Sequence, residues 1–120
     1  MAPLRTNVIL MDDLGRMVDV DVLIDPSTAF GLFPASLLMD LGVKPFRDLE
    51  HRTGQRLGQV EAMLKMNAAY IICGFGEEDC EPRLGFHNLA SLVLQVNQRG
   101  DDLEPLVVEY HEHPKLEIDV

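Results

Sequence analysis

Early in the chain, apolar and polar positions alternate. Val18, Val20, Val22 and Ile24 fall on one side of an extended run and Asp19, Asp21, Leu23 and Asp25 on the other, the period of a half-buried antiparallel strand. Val8-Ile9-Leu10 is a second β-rich run, and the "MDDLGRM" between the two has turn chemistry, so the chain up to Asp25 is expected to form a hairpin. The period then changes. In "PASLLMDLGV", Leu37, Leu38 and Leu41 recur at helical spacing, with Pro34 at the expected first helical position and Gly42 where a left-handed cap falls. "HRTGQRLGQV" sets Gly54 and Gly58 among polar residues, which predicts a mobile hairpin tip joining two strands.

In "QVEAMLKMNAAYIICGF" the two signals conflict. Glu61 to Met66 are good helix formers, yet Val60, Ala62, Leu64 and Met66 alternate with Gln59, Glu61, Met63, Lys65 and Asn67. Tyr70 to Cys73 then favours a strand, so the segment is predicted to be β. "RLGFHNLASLVLQV" places Gly85 ahead of Phe86, Leu89, Ala90, Leu92 and Val93, which predicts a short helix returning to a strand. "NQRGDD" is a turn, and the tail "LEPLVVEYHEHPKLEIDV" reads as one or two strands, with Pro105 and Pro114 at edge positions. The expected fold is mostly β with one or two short helices.

Composition narrows the choice. A chain of 120 residues with 47% hydrophobic residues is expected to be one domain, 1–120. Ten Lys plus Arg against twenty Asp plus Glu give a formal charge of −10, which argues against nucleic acid and membrane surfaces as partners. Near the start only Val8 to Met11 is an unbroken apolar run, too short for a secretory core or a membrane span, and a cytoplasmic location is expected. Cys73 and Cys80 are expected to be free, Cys73 as core filler. Met11, Met17, Met39, Met63 and Met66 lie in apolar patterns and are expected to fill gaps in the core. His111 and His113 would share one face of a strand, but two imidazoles make half a zinc site and no third ligand has suitable spacing. No metal or other cofactor is expected, and the isolated His51 and His87 are given no role.

The sequence thus has a strand ending in Asp25, a loop, Pro34 opening a short helix, a glycine-containing hairpin, and Leu84-Gly85 leading into a second helix. Over nearly the whole chain this order resembles the retropepsin-like aspartic peptidases, in particular bacterial single-domain members with an "LVDTGA…LP" pattern. The resemblance implies a closed β-barrel and a homodimer in which each subunit contributes one aspartate. The two carboxylates then share a proton and a water, because like charges so close cannot both ionise. It assigns the catalytic loop to Asp25, Ser27 and Thr28, the flap to Gly54 and Gly58, and the second glycine motif of the substrate cleft to Gly85.

Three positions depart from the family. Pro26 replaces threonine, Ser27 replaces glycine, and Arg83 stands where an apolar residue is expected. By resemblance, the threonine hydroxyl and amide brace the two loops across the dimer axis; proline has neither. Ser27 keeps an amide but adds a Cβ in a crowded place. Geometry looser by about 1 Å costs on the order of a hundredfold in rate. Two readings of Asp25 follow: a catalyst, or the acceptor of an Asx-type turn closed by the amides of Ser27 and Thr28. Sliding the motif onto Ser27-Thr28-Ala29 removes the carboxylate and spoils the spacing to Pro34. The expectation is a catalytically impaired or inactive homodimer whose cleft can hold an extended peptide or protein segment, with an active endopeptidase as the alternative.

Overall fold

The computed structural model describes residues 3–47 and 54–107. Within them the chain is mostly β, with two short helices. Strands β1 (Arg5–Met11) and β2 (Met17–Ile24) form the expected antiparallel hairpin, in register from Arg5 opposite Leu23 to Met11 opposite Met17. Its turn is closed by the Asp12 carboxylate, which accepts from the amides of Leu14 at 3.0 Å and Arg16 at 2.7 Å. The alternation in β2 falls as predicted: Val22 and Ile24 are buried, Val18 and Val20 pack against the core, and Asp19 and Asp21 face solvent.

A short strand, β3 (Gly31–Pro34), precedes helix α1 (Ala35–Asp40). Pro34 was expected inside the helix; it ends β3 and forms the N-cap, its ψ of 135° being extended. Leu38 and Leu41 are buried as the helical spacing implies, and Gly42, at φ +80°, ends the helix in the left-handed conformation.

The segment predicted to be β is a hairpin. Strands β4 (Leu57–Leu64) and β5 (Asn67–Gly76) pair antiparallel around a turn at Lys65 and Met66, whose φ values are +50° and +72°. Period-two burial of Val60, Ala62 and Leu64 overrides the helical propensity of these residues, but Met66 belongs to the turn, 91% exposed. Met17 and Met39 are exposed too, so of the five methionines expected in the core these three lie outside it.

The assignment of Gly58 to a hairpin tip is also corrected. Gly58 is a buried residue of β4, bridged to Pro45, and the Phe46 amide donates to the Leu57 carbonyl at 2.8 Å. A Cβ on Gly58 would come within 2.7 Å of the Val43 side chain, so close packing requires glycine there. Gly54 stands in a bend ahead of β4, at φ +69°, while His51 and Thr53 are outside the described residues.

Strand β6 (Arg83–Leu84) leads through Gly85 into helix α2 (Phe86–Ser91), and β7 (Leu94–Val96) pairs with β8 (Leu103–Pro105) across the predicted turn. Pro105 ends the last strand, consistent with an edge. The rest of the tail, with Pro114, lies outside the described residues. The six longer-range strands pair in the order β1-β2-β6-β3-β5-β4, and β4 returns to β1, so the pairings run round a closed ring. Inside it Leu10, Val22, Phe33, Ile71, Cys73 and Leu84 are fully buried. Burial pushes the Cys73 thiol up to about 12, which makes it inert core filler, and both cysteines are free.

Candidate functional site

The ring brings β2 and β6 together in parallel, Leu23 opposite Arg83 and Ile24 opposite Leu84. Asp25 follows directly, its amide donating to the Leu84 carbonyl at 2.9 Å. From there the chain turns. The Asp25 carboxylate oxygen Oδ1 accepts from the Ser27 amide at 3.1 Å and from the Ser27 hydroxyl. Thr28 turns instead to the main-chain carbonyl of Asp25, through its amide at 3.3 Å and its hydroxyl at 3.2 Å. The expected Asx-type turn is thus present at Ser27, whereas the Thr28 amide closes a backbone turn.

Gly85 locks this loop from behind. The amides of Phe86 and His87 donate to the carbonyls of Thr28 at 2.8 Å and Ala29 at 2.9 Å. A Cβ on Gly85 would come within 2.5 Å of the Ala29 carbonyl oxygen, so only glycine lets the two backbones approach. Gly85 is buried and packs directly against the loop. Asn88 completes the lock. Its Oδ1 accepts from the amides of Gly31 at 2.6 Å and Gly85 at 2.9 Å, and its Nδ2 donates to the Ile72 carbonyl at 2.7 Å. It is the only fully buried polar residue among those described. The sequence signal for it was its place three residues into α2, where a side chain reaches back to the N-cap.

Arg83 is the second residue whose role the pattern did not give. Its Nη1 lies 3.4 Å from Asp25 Oδ2, with the side chains 35% and 23% exposed respectively. The Ser27 hydroxyl, and then the Ser27 amide and Arg83, hold the Asp25 carboxyl below the usual carboxylate range against the opposing effect of burial. Asp25 therefore stabilises the fold in its ionised form, and that contribution is lost as pH falls through its depressed titration. Asp25→Asn should lower stability by about 1 kcal/mol at neutral pH, and the difference should shrink in the acid range. Urea denaturation of both proteins at neutral and acid pH measures it. A difference that grows on acidification would contradict this origin.

Two concavities flank the loop. One, of about 310 Å³, is lined by Thr28, Phe30, Leu32, Gln55 and Arg83, with Ala29 and Gly31 between them. The other, of about 400 Å³, is apolar, with Pro26, Phe86, Leu89, Leu94, Val96 and Leu106 on its walls. His87, given no role from sequence, packs edge-on to Phe30 with ring centroids 5.0 Å apart. His111 and His113 lie outside the described residues. Among the described residues no group of three or more His, Cys, Asp or Glu could hold a metal ion, and no helix is long and apolar enough to cross a membrane.

Asp25, Ser27, Thr28 and Gly85 are brought together as one unit, whereas Gly54 stands ahead of β4 and Gly58 within it. No family model, curated protein or solved structure matches the chain.

Proposed function

We propose that the chain is a retropepsin-like domain that acts as a homodimer, has lost peptidase activity, and keeps a cleft for an extended peptide. The observation that carries this reading is the Asp25 loop, delivered by β2 and locked to Gly85 through β6. Around it stand the other parts in order: Pro34 at the start of α1, the bridge between Pro45 and Gly58, and Gly85 opening α2. The loss of activity follows from three residues. Pro26 has no hydroxyl or amide to brace a partner loop. Ser27 and Arg83 together favour the ionised Asp25 carboxylate, which opposes the proton sharing a catalytic pair needs.

The dimer contacts proposed are Pro26, Phe86 and the apolar groove beside them. Pro26 and Phe86 are exposed, and the groove continues to Leu106 at the end of the described chain. A homodimer covers this surface and the β7–β8 edge at once.

Light scattering after gel filtration at about ten micromolar should give a dimer mass. Incubation with an unfolded protein between about pH 4 and 6 should give no cleavage. A clean monomer would sink the shared cleft. Robust cleavage abolished by Asp25→Asn would overturn the inactive reading and establish an aspartic endopeptidase with one Asp25 from each subunit.

A further inference from the structure

Arg83 is poorly satisfied where it stands. A guanidinium carries five N–H donors in a planar fork, and charge-assisted bonds to carboxylates run at about 2.7–2.9 Å. Arg83 has one carboxylate partner, Asp25, at 3.4 Å, and that carboxylate gives its other oxygen to Ser27. The Arg83 Nε is buried with no hydrogen-bond partner. A buried donor without an acceptor is costly, and native structures rarely leave one without a reason. Arg83 also lines the cavity of about 310 Å³ that meets Thr28 and Gln55.

We infer that Arg83 is the receptor for a carboxylate, so that the cleft selects extended peptides that place an acidic group in this cavity. The inference rests on the peptide-binding reading above and deepens it. A bound carboxylate matches the guanidinium fork with two parallel bonds and supplies the acceptors that Asp25 does not. Space is adequate, since a carboxymethyl or carboxyethyl side chain occupies a fraction of the cavity. Asp25 competes for the same fork and weakens the ligand by repulsion as well, so it tunes the affinity downward.

The carboxylate could belong to an acidic side chain or to a peptide's C-terminus. The test uses three pools of short, fluorescein-labelled, otherwise randomised peptides read by anisotropy. One pool has a central Glu and an amidated end, one a central Gln and an amidated end, and one a central Gln and a free C-terminus. Wild type should prefer a carboxylate-bearing pool over the amidated Gln pool by about tenfold, and which of the two it prefers names the source. Arg83→Gln should abolish the preference, and Arg83→Lys should keep only part of it. Asp25→Asn should strengthen binding of the preferred pool, an arm that does not depend on any Arg83 variant folding. Equal binding of all three pools by wild type, or a preference that survives Arg83→Gln, would overturn the inference while leaving the cleft intact. No binding of any pool would overturn the cleft itself.

Discussion

Asn88→Ala is expected to cost a large share of the stability of the fold. The substitution leaves the amides of Gly31 and Gly85 and the carbonyl of Ile72 without their partners in a fully buried place. Each orphaned buried group costs about 1–3 kcal/mol. With some relaxation or an entering water, a total on the order of 4 kcal/mol is expected. Domains of this size have roughly 5–15 kcal/mol in all, so the variant should be marginal at room temperature. Urea denaturation of Asn88→Ala beside His87→Ala makes the comparison. His87 is exposed and its ring touches only the edge of Phe30, so its loss should cost under about 1 kcal/mol. If Asn88→Ala falls within 1 kcal/mol of wild type (roughly the noise of such surface changes), the three hydrogen bonds do not hold the loop to α2 as described.

The second large effect is expected from repair of the loop. On the retropepsin-like reading proposed above, Pro26→Thr supplies a hydroxyl and an amide where such a domain would brace its two loops, and Ser27→Gly removes both the Cβ and the hydroxyl that holds Asp25 Oδ1. Those two changes leave Arg83 in contact with Oδ2, so Arg83→Leu is needed as well to free the carboxylate. The three residues act on one group, and their effects should not add: each alone should do little. The triple variant should cleave an unfolded protein between about pH 4 and 6, where one carboxyl of a pair can hold a proton. The rate should exceed the wild-type background by at least about a hundredfold, and adding Asp25→Asn should abolish it. A folded, dimeric triple variant without activity would mean that the two loops do not face each other as in the family.

The two predictions draw on different layers of what the chain displays. Features fixed by neighbours in sequence were legible: the polar and apolar sides of β2, Gly42 ending α1, Gly85 opening α2, and the turn between β7 and β8. Each depends on a few consecutive side chains or on one residue's backbone freedom. The Lys65–Met66 turn was hidden because neither residue is the glycine or asparagine that positive φ favours, and Met66 continued the alternation into the bend. Strand β3 was hidden for another reason. "GLFP" is too short to show a period, and it exists because β5 lies beside it in parallel.

For the site, the position of Asp25 at the end of a strand and the polar closure by Ser27 could be read locally. The contacts that decide its chemistry could not. Arg83 reaches Asp25 from 58 positions away and Asn88 reaches Gly31 from 57, separations across which no local pattern carries information. Arg83 was visible only as a misfit among apolar residues, and its charge gave the anomaly no direction until β6 was placed beside β2.

Strand β6 has two residues and meets β3 through one residue pair, Leu32 with Arg83. The β1–β2 and β4–β5 hairpins close over short turns and lose little chain entropy in doing so, whereas joining β6 to β2 ties off a loop of nearly half the chain. High-contact-order pairings of this kind are the slow ones in folding. Strand β6 is thus both the shortest strand of the ring and the one joined to β2 across the longest stretch of chain, and that pairing is expected to form late. Until then Asp25 and Arg83 are ordinary hydrated charges on separate pieces of chain, and the chemistry of this corner comes into being in the same event that completes the fold.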